Sequence, residues 1–353
     1  MASLGLAFGK VWPILAALLF FGLIIMTHEG GHFAAAKLFK VKVNEFAVGM
    51  GPVLWKKQGK ETQYSVRLLP IGGYCAMEGE DEDSEHDRAF NNKPPWQRAI
   101  IILAGATVNI LTGIIIMAII LGTSDLIGTP GISGFYGDKA SQEQGLEVGD
   151  RIVAVNNHVV RTSYDLSYFM MRDPDGVIDF VVERDGKKEA IRSVKFQTEE
   201  VEGTSTVVYD FSILGVKPTP GNVLKYAFLN SFSIVRIVWD SLIDLVTLNY
   251  DLKQLSGPIG TVGAIAETAS DAVKTTNYSS LLLILAFIAI NVGAFNLIPF
   301  PALDGGRFLF ILFEGITGKR VSRKVEAAIN SAGMALLLGL MVIVTVSDVM
   351  KFL

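Results

Sequence analysis

The stretch from Val11 to about Ala36 is apolar and long enough to cross a bilayer, yet it carries His28, Glu29 and His32. Ionisable groups at membrane depth are expensive to bury, and where they occur they mark a site. The rest of the chain agrees with a membrane setting. Half of its 353 residues are hydrophobic and only 19% are charged, with a mean hydropathy of +0.41, which is too apolar for an ordinary soluble domain of this length. The net charge is −4 with no Lys/Arg-rich block, so nucleic acid is excluded as a partner. A single cysteine, Cys75, has no disulfide partner within the chain and is read as a packed, incidental thiol.

Hydropathy and length predict two further spans, Ala99–Leu121 and Ala327–Val346. A fourth, Ser280–Leu297, ends in Pro299 and Pro301 and is read as broken. The first span has no small-residue cleavage pattern after it and is expected to stay in the mature protein. Lys and Arg cluster between the first two spans, from Lys37 to Arg98, and again from Arg307 to Lys324 before the last span. The positive-inside rule places both loops in the cytoplasm, and therefore both chain ends and everything between the second and third spans outside.

That outer segment, about Gly128 to Gly215, is polar, alternating and rich in turns. Gly145–Asp150 reads as a turn, Arg151–Val155 as a half-buried strand, and the residues either side of Asp185-Gly186 as a hairpin. Its Gly-Leu-x-x-Gly-Asp-x-Ile-x-x-Val-Asn pattern resembles a PDZ domain, which implies either peptide capture at a sheet edge or a spacer that shields the membrane site. Residues 223–248 follow as an apolar helix with Arg236, Asp240 and Asp244 on one face. The reading is an interfacial helix with an Arg236–Asp240 pair, because a fifth span would break the charge parity.

His28-Glu29-Gly30-Gly31-His32 fits H-E-x-x-H. On a helix this spacing sets two imidazoles one turn apart on one face, able to share a zinc ion. The glutamate stands about 100° round the helix, within reach of a water's proton and away from ligation. Gly30 and Gly31 each cost about 1 kcal/mol relative to alanine in a helix, so something approaches the backbone there: a neighbouring helix, a substrate or the segment that brings the third ligand. A catalytic zinc wants a third protein ligand and an open position. Asp304, in the proline-broken segment "NLIPFPALDGGR", is the candidate third ligand, and it is also placed to cap a helix starting at Gly305. Asn296 is positioned either to donate to a substrate carbonyl or to bond a neighbouring helix.

HEGGH on the first span, N-x-x-P-x-P-x-L-D-G-G after the third and one PDZ-like insertion between them resemble the site-2 protease family of zinc intramembrane metalloproteases, and most closely its bacterial regulator of sigma-E members. The resemblance covers nearly the whole chain. "GMGPVLW", "RLLPIGGYCAMEGE" and "LSGPIG" look like the family's further signatures, although Met50 and Cys75 stand where aromatic and aliphatic residues are frequent. It implies that His28, His32 and Asp304 bind Zn2+ and that Glu29 is the catalytic base. It also implies a membrane-associated β-loop over 43–80 whose Gly72 and Gly73 lie where an unwound substrate pairs. The fold class that follows is an α-helical membrane protein with a four-span site-2 protease core, a β-loop and an inserted extracytoplasmic PDZ-like α+β domain. Its expected divisions are 1–127, 128–215, 216–279 (interfacial helix and linker) and 280–353. The implied activity is hydrolysis within the transmembrane segments of single-pass proteins, such as anti-sigma factors already trimmed by another protease, in a bacterial cytoplasmic membrane.

Two rivals are weaker. A proteolytically inactive scaffold with a peptide-binding PDZ domain would be expected to lose the base or a ligand, whereas all four residues are present. A metal transporter needs ionisable residues strung across the bundle, and here they gather at one place. His86, the acidic stretch "EGEDEDSEHD" around it, and His158 on a PDZ-like turn are read as solvated.

Overall fold

The computed structural model describes residues 2–173, 175–201, 204–247 and 258–351. The first three residues of the "LSGPIG" signature, and the C-terminal end of the expected 223–248 helix, lie outside them. The chain divides into two compact units, Met1–Ile116 with Ser241–Leu353, and Met117–Asp240.

In the first unit, α1 (Ala2–Leu38) carries the HEGGH motif. Helices α2 (Pro95–Thr123), α7 (Ser279–Asn296) and α9 (Arg323–Lys351) match the other three expected spans to within a few residues. All four contain stretches long and apolar enough to cross a membrane. Small residues bring these helices into backbone contact, as is usual where lipid supplies no hydrophobic drive for association. A Cβ on Gly31 of α1 would stand 2.5 Å from the Ala104 carbonyl oxygen of α2, and one on Gly293 of α7 would stand 2.7 Å from that of Ala106. Gly31 thus serves helix packing, while the space beside Gly30 is open.

Between α1 and α2 run β1 (Val43–Gln58) and β2 (Gln63–Met77), the strands expected over 43–80. The ribbon folds back on itself, so that Phe46 pairs with both Cys75 and Tyr64, while farther along Trp55 pairs with Val66. The bends fall at Gly49, Gly51 and Gly72, all at positive φ, where side chains are disfavoured. A core of Ala35, Ala36, Val41, Val43, Cys75, Met77, Phe90, Ile101, Ile102 and Ile311 ties the ribbon to its neighbours. Cys75 is buried, as expected for a packed thiol.

The second unit holds β3 (Ile127–Phe135), α3 (Ala140–Glu143), β4 (Arg151–Val155), β5 (His158–Val159), α4 (Ser163–Met171), β6 (Val177–Arg184), β7 (Lys187–Lys195), the hairpin β8 (Thr198–Val201) and β9 (Thr204–Val207), and β10 (Phe211–Val216). One sheet runs β10-β3-β4-β6-β7 with β5 beside β4, all antiparallel. The expected hairpin closes at Arg184↔Lys187. Arg184 neutralises the fully buried Asp150 at 2.7 Å, and Thr162 and Asp165 form a capping box on α4. His158 is exposed as expected, but it lies in β5 and stacks on Phe169.

Helix α5 (Pro220–Val246) confirms the helix expected from residue 223, and the Arg236–Asp240 pair is present at 3.7 Å. Arg236 also donates to the Val159 carbonyl at 2.6 Å and covers the Phe169 ring. The segment read as a linker is not one throughout: α6 (Pro258–Thr275) is helical, and Gly260 N–H at its start donates to the buried Asp348 of α9. Its glycines and Thr/Ser/Asp content mimic a loop, and its helicity is supported by a partner 88 residues away.

Candidate metal centre

The motif histidines face α2. His28 and His32, one turn apart on α1, are both buried, and their rings meet edge to face with centroids 4.8 Å apart. After α7 the prolines end the helix, and α8 (Asp304–Thr317) begins a new direction. Its first turn is pressed onto the broken segment: a Cβ on Gly305 would stand 2.2 Å from the Ile298 carbonyl oxygen, and one on Gly306 2.3 Å from that of Phe300. Only glycine permits so close a fold-back, and the fold-back delivers Asp304 to the histidines. Asp304 is itself the first helical residue and caps nothing, since Leu303 holds the cap position without a side-chain bond.

His28 Nε2, His32 Nε2 and Asp304 Oδ2 form a nearly equilateral triangle with edges of 3.2, 3.2 and 3.3 Å. Among the described residues this is the one set of three such side chains whose donor atoms converge. Asp304 Oδ2 is buried and has no hydrogen-bond partner, a costly arrangement for a carboxylate unless a cation completes it. Donors about 2.0–2.1 Å from a tetrahedral zinc stand about 3.3 Å from one another. The triangle fits.

A profile of peptidase family M50 matches residues 16–340. The chain belongs to peptidase family M50, the site-2 proteases. Among its relatives is a protein of Clostridium acetobutylicum named as a zinc metalloprotease, 36% identical over 340 residues that cover 95% of this chain and 97% of that one. A protein of Fusobacterium nucleatum with the same designation is 35% identical over 350 residues, covering 96% and 98%. The regulator of sigma-W protease RasP of Bacillus subtilis is 27% identical over 423 residues, covering 96% and 98%. This family member is therefore a bacterial membrane protein, a zinc metalloendopeptidase and an intramembrane protease.

The remaining expected residues are distributed unevenly. Glu29, on α1, stands against β2. Gly73 is brought to it: a Cβ there would stand 3.4 Å from Glu29 Cγ and 2.9 Å from the Ala47 carbonyl oxygen. Gly72 sits at the bend and faces Met50 instead. Asn296 closes the end of α7 and donates from Nδ2 to Val292 O at 2.9 Å within its own helix, so of the two alternatives weighed for it the bond to a neighbouring helix is not made.

Three features of the site escaped the sequence reading, all on one face of α2 at intervals of four residues. Ile101 O lies 2.8 Å from His32 Nδ1, and Asn109, fully buried, lies 3.5 Å from His28 Nδ1. Between them Gly105 leaves a gap that both rings fill; a Cβ there would stand 2.4 Å from His32 Nε2 and 2.9 Å from His28 Cε1. A glycine and an asparagine at i and i+4 in an otherwise apolar span were the available signal.

The acidic stretch is largely exposed, as expected of a solvated loop, but it is also tethered. Glu80 and Asp81 pair with Arg307, one turn beyond Asp304 on α8, and Asp83 pairs with Arg323 at the start of α9. Glu78 bonds Lys42, Asn44 and Ser84, which together hold its carboxyl down at about 2. His86 is exposed and accepts from the Arg88 amide.

Proposed function

We propose that this enzyme hydrolyses a peptide bond inside, or at the edge of, a substrate's transmembrane helix, with His28, His32 and Asp304 holding the zinc and Glu29 acting as general base. The observation that carries the reading is the triangle of donor atoms, with Glu29 next to His28 in the same helix. Zinc, when bound, supplies a Lewis acid and brings the acidity of water to near pH 7. Glu29 takes the proton that the attacking water loses and passes it to the departing amide nitrogen. The rest of the site orients and excludes: α2 fixes both imidazoles, and the folded ribbon closes one side.

A helical peptide bond is shielded, so the substrate unwinds before it is cut. The stretch Gly73–Met77 pairs with β1, and its backbone passes Glu29. This supports the pairing of an unwound substrate segment with β2, which would present its scissile carbonyl to the site. Asn296 keeps one amide hydrogen beyond its bond to Val292, available for that carbonyl.

The substrates in this reading are single-pass membrane proteins already shortened by another protease, anti-sigma factors among them; RasP, a relative, is named for regulating sigma-W. The second unit, read as PDZ-like and extracytoplasmic, screens or recruits them. Its sheet ends in β10, with Ile213 and Leu214 exposed on that strand, which supports strand addition there. Both chain ends lie outside, and α5 rests at the interface.

The test is cleavage of a single-pass substrate by purified enzyme in lipid nanodiscs, with Glu29→Gln as the comparison. The expected result is cleavage by the wild type alone. Equal cleavage by the variant, or none by zinc-loaded wild type on any trimmed substrate, would overturn the assignment and favour a scaffold.

A further inference from the structure

We propose that Asn109 is a positioning residue for the metal centre, holding His28 in the tautomer that offers Nε2, through a short chain of hydrogen bonds ending at Thr27 and Ile24. The inference rests on the reading that His28 binds zinc through Nε2, the atom that faces Asp304.

The argument is one of donors and acceptors. An imidazole that gives the Nε2 lone pair to a metal carries its proton on Nδ1, and that proton needs an acceptor. His32 shows the arrangement directly, because its Nδ1 lies 2.8 Å from Ile101 O, which can only accept. His28 Nδ1 faces the side-chain amide of Asn109, fully buried on α2. On the far side of that amide is Thr27 Oγ1, at 2.9 Å, itself 2.7 Å from Ile24 O.

In the structure Nδ2 is turned to His28 and Oδ1 to Thr27. With a proton on Nδ1 that order sets donor against donor. The two ends of a carboxamide are nearly identical in shape and are distinguished by the network they join. Turned by half a rotation, the donor-against-donor contact is removed and the bonds run one way: Nδ1–H of His28 donates to Asn109 Oδ1, Asn109 Nδ2–H donates to Thr27 Oγ1, and the single hydroxyl proton of Thr27 goes to Ile24 O. The chain terminates on a helix carbonyl, so no donor along it faces another donor.

Ile101, Gly105 and Asn109 thus form a template along one face of α2, with an acceptor for His32, room for both rings, and an acceptor for His28. Ile101 and Asn109 on α2 meet His32 and His28 on α1, so both histidines take their orienting groups from one neighbouring helix face.

The experiment measures zinc affinity by chelator competition on the full-length protein in detergent, together with thermal melting. Asn109→Leu, of similar volume, is expected to weaken zinc binding about 10–100-fold while helicity is retained, and Asn109→Asp, which keeps an acceptor, to stay within a few-fold of wild type. Thr27→Val, which strips the amide of its anchor, is expected to fall between them and serves if Asn109→Leu does not fold. Wild-type affinity in both Asn109→Leu and Thr27→Val would overturn the proposal. So would equal losses in Asn109→Leu and Asn109→Asp. His28→Ala separates the two readings: if it leaves zinc affinity intact, the ligand assignment itself fails, whatever Asn109 does.

Discussion

Gly105→Ala sets two physical effects against each other, and the structure says which wins. By helix propensity alone, alanine inside α2 is worth about 1 kcal/mol, so a view confined to stability predicts a higher melting temperature. The added methyl, however, would begin 2.4 Å from His32 Nε2, where real Cβ contacts stay above 3.0 Å. Either the ring or the helix must yield by about 0.6 Å or more, whereas zinc ligand distances tolerate only about 0.2 Å. The ring has little freedom, since its Nδ1 is tied to Ile101 O at 2.8 Å. The helices have little either, because Gly31 already brings α1 against the Ala104 carbonyl. The expected outcome is a well-folded protein whose zinc affinity falls by at least the roughly 10–100-fold seen when a supporting group is lost. Chelator competition reads the affinity, and circular dichroism with thermal melting reads the fold. A Gly105→Ala protein that binds zinc as tightly as wild type would refute the placement of His32 against α2.

The other expectations are more direct. Glu29→Gln should keep zinc at one equivalent by elemental analysis while losing cleavage; loss of the metal would mean that Glu29 is a ligand and not the base. Asp304→Asn should shed zinc on dialysis, and retained stoichiometry would count against ligation. Chelation should lower the melting temperature of wild type, since zinc at 100 times its dissociation constant contributes about 2.7 kcal/mol, and should leave Asp304→Asn unmoved; equal shifts in both would place the metal elsewhere. Arg88 and Lys37 hold the Glu61 carboxyl down at about 2 from its usual 4.5. Its stabilisation is therefore complete above pH 4.5 and lost as pH falls from there toward 2. Glu61→Gln should flatten the melting profile across that window, and an unchanged slope would dismiss the pair as a contributor.

Much of this site was legible because its physics is local. The four-residue spacing of His28 and His32 is a property of any helix, and a carboxylate beyond a proline break at membrane depth needs a cation wherever the chain runs. What stayed hidden depends on partners distant in sequence. Nothing in "EGEDEDSEHD" reveals that Arg307 and Arg323 lie opposite, more than 220 residues on. Asn109 is 81 residues from His28, and a single sequence does not say which face of an apolar helix meets its neighbour. The capping role weighed for Asp304 was unreadable for a local reason: Leu303 holds the cap position, and the double glycine that follows Asp304 is pressed against Ile298 and Phe300.

The division of labour among elements explains why the centre survives in an apolar setting. Helix α1 supplies two donors but leaves their orientation open, because an imidazole on a helix still has two torsions and two tautomers. Helix α8 supplies the third donor from its first residue, folded back on a proline-broken backbone that would be unstable in lipid without protein around it. Helix α2 contributes no donor, yet it limits both rings with a carbonyl, a gap and an amide. Arg307, one turn past Asp304, ties α8 to the acidic loop that leaves the ribbon at Met77, so the element bearing the third donor is tethered to the strand that passes Glu29. The donor atoms, Glu29 and the strand beside it are thereby held by one connected set of contacts. A substitution in the acidic loop should accordingly register first in metal retention, even though no atom of that loop lies in the triangle.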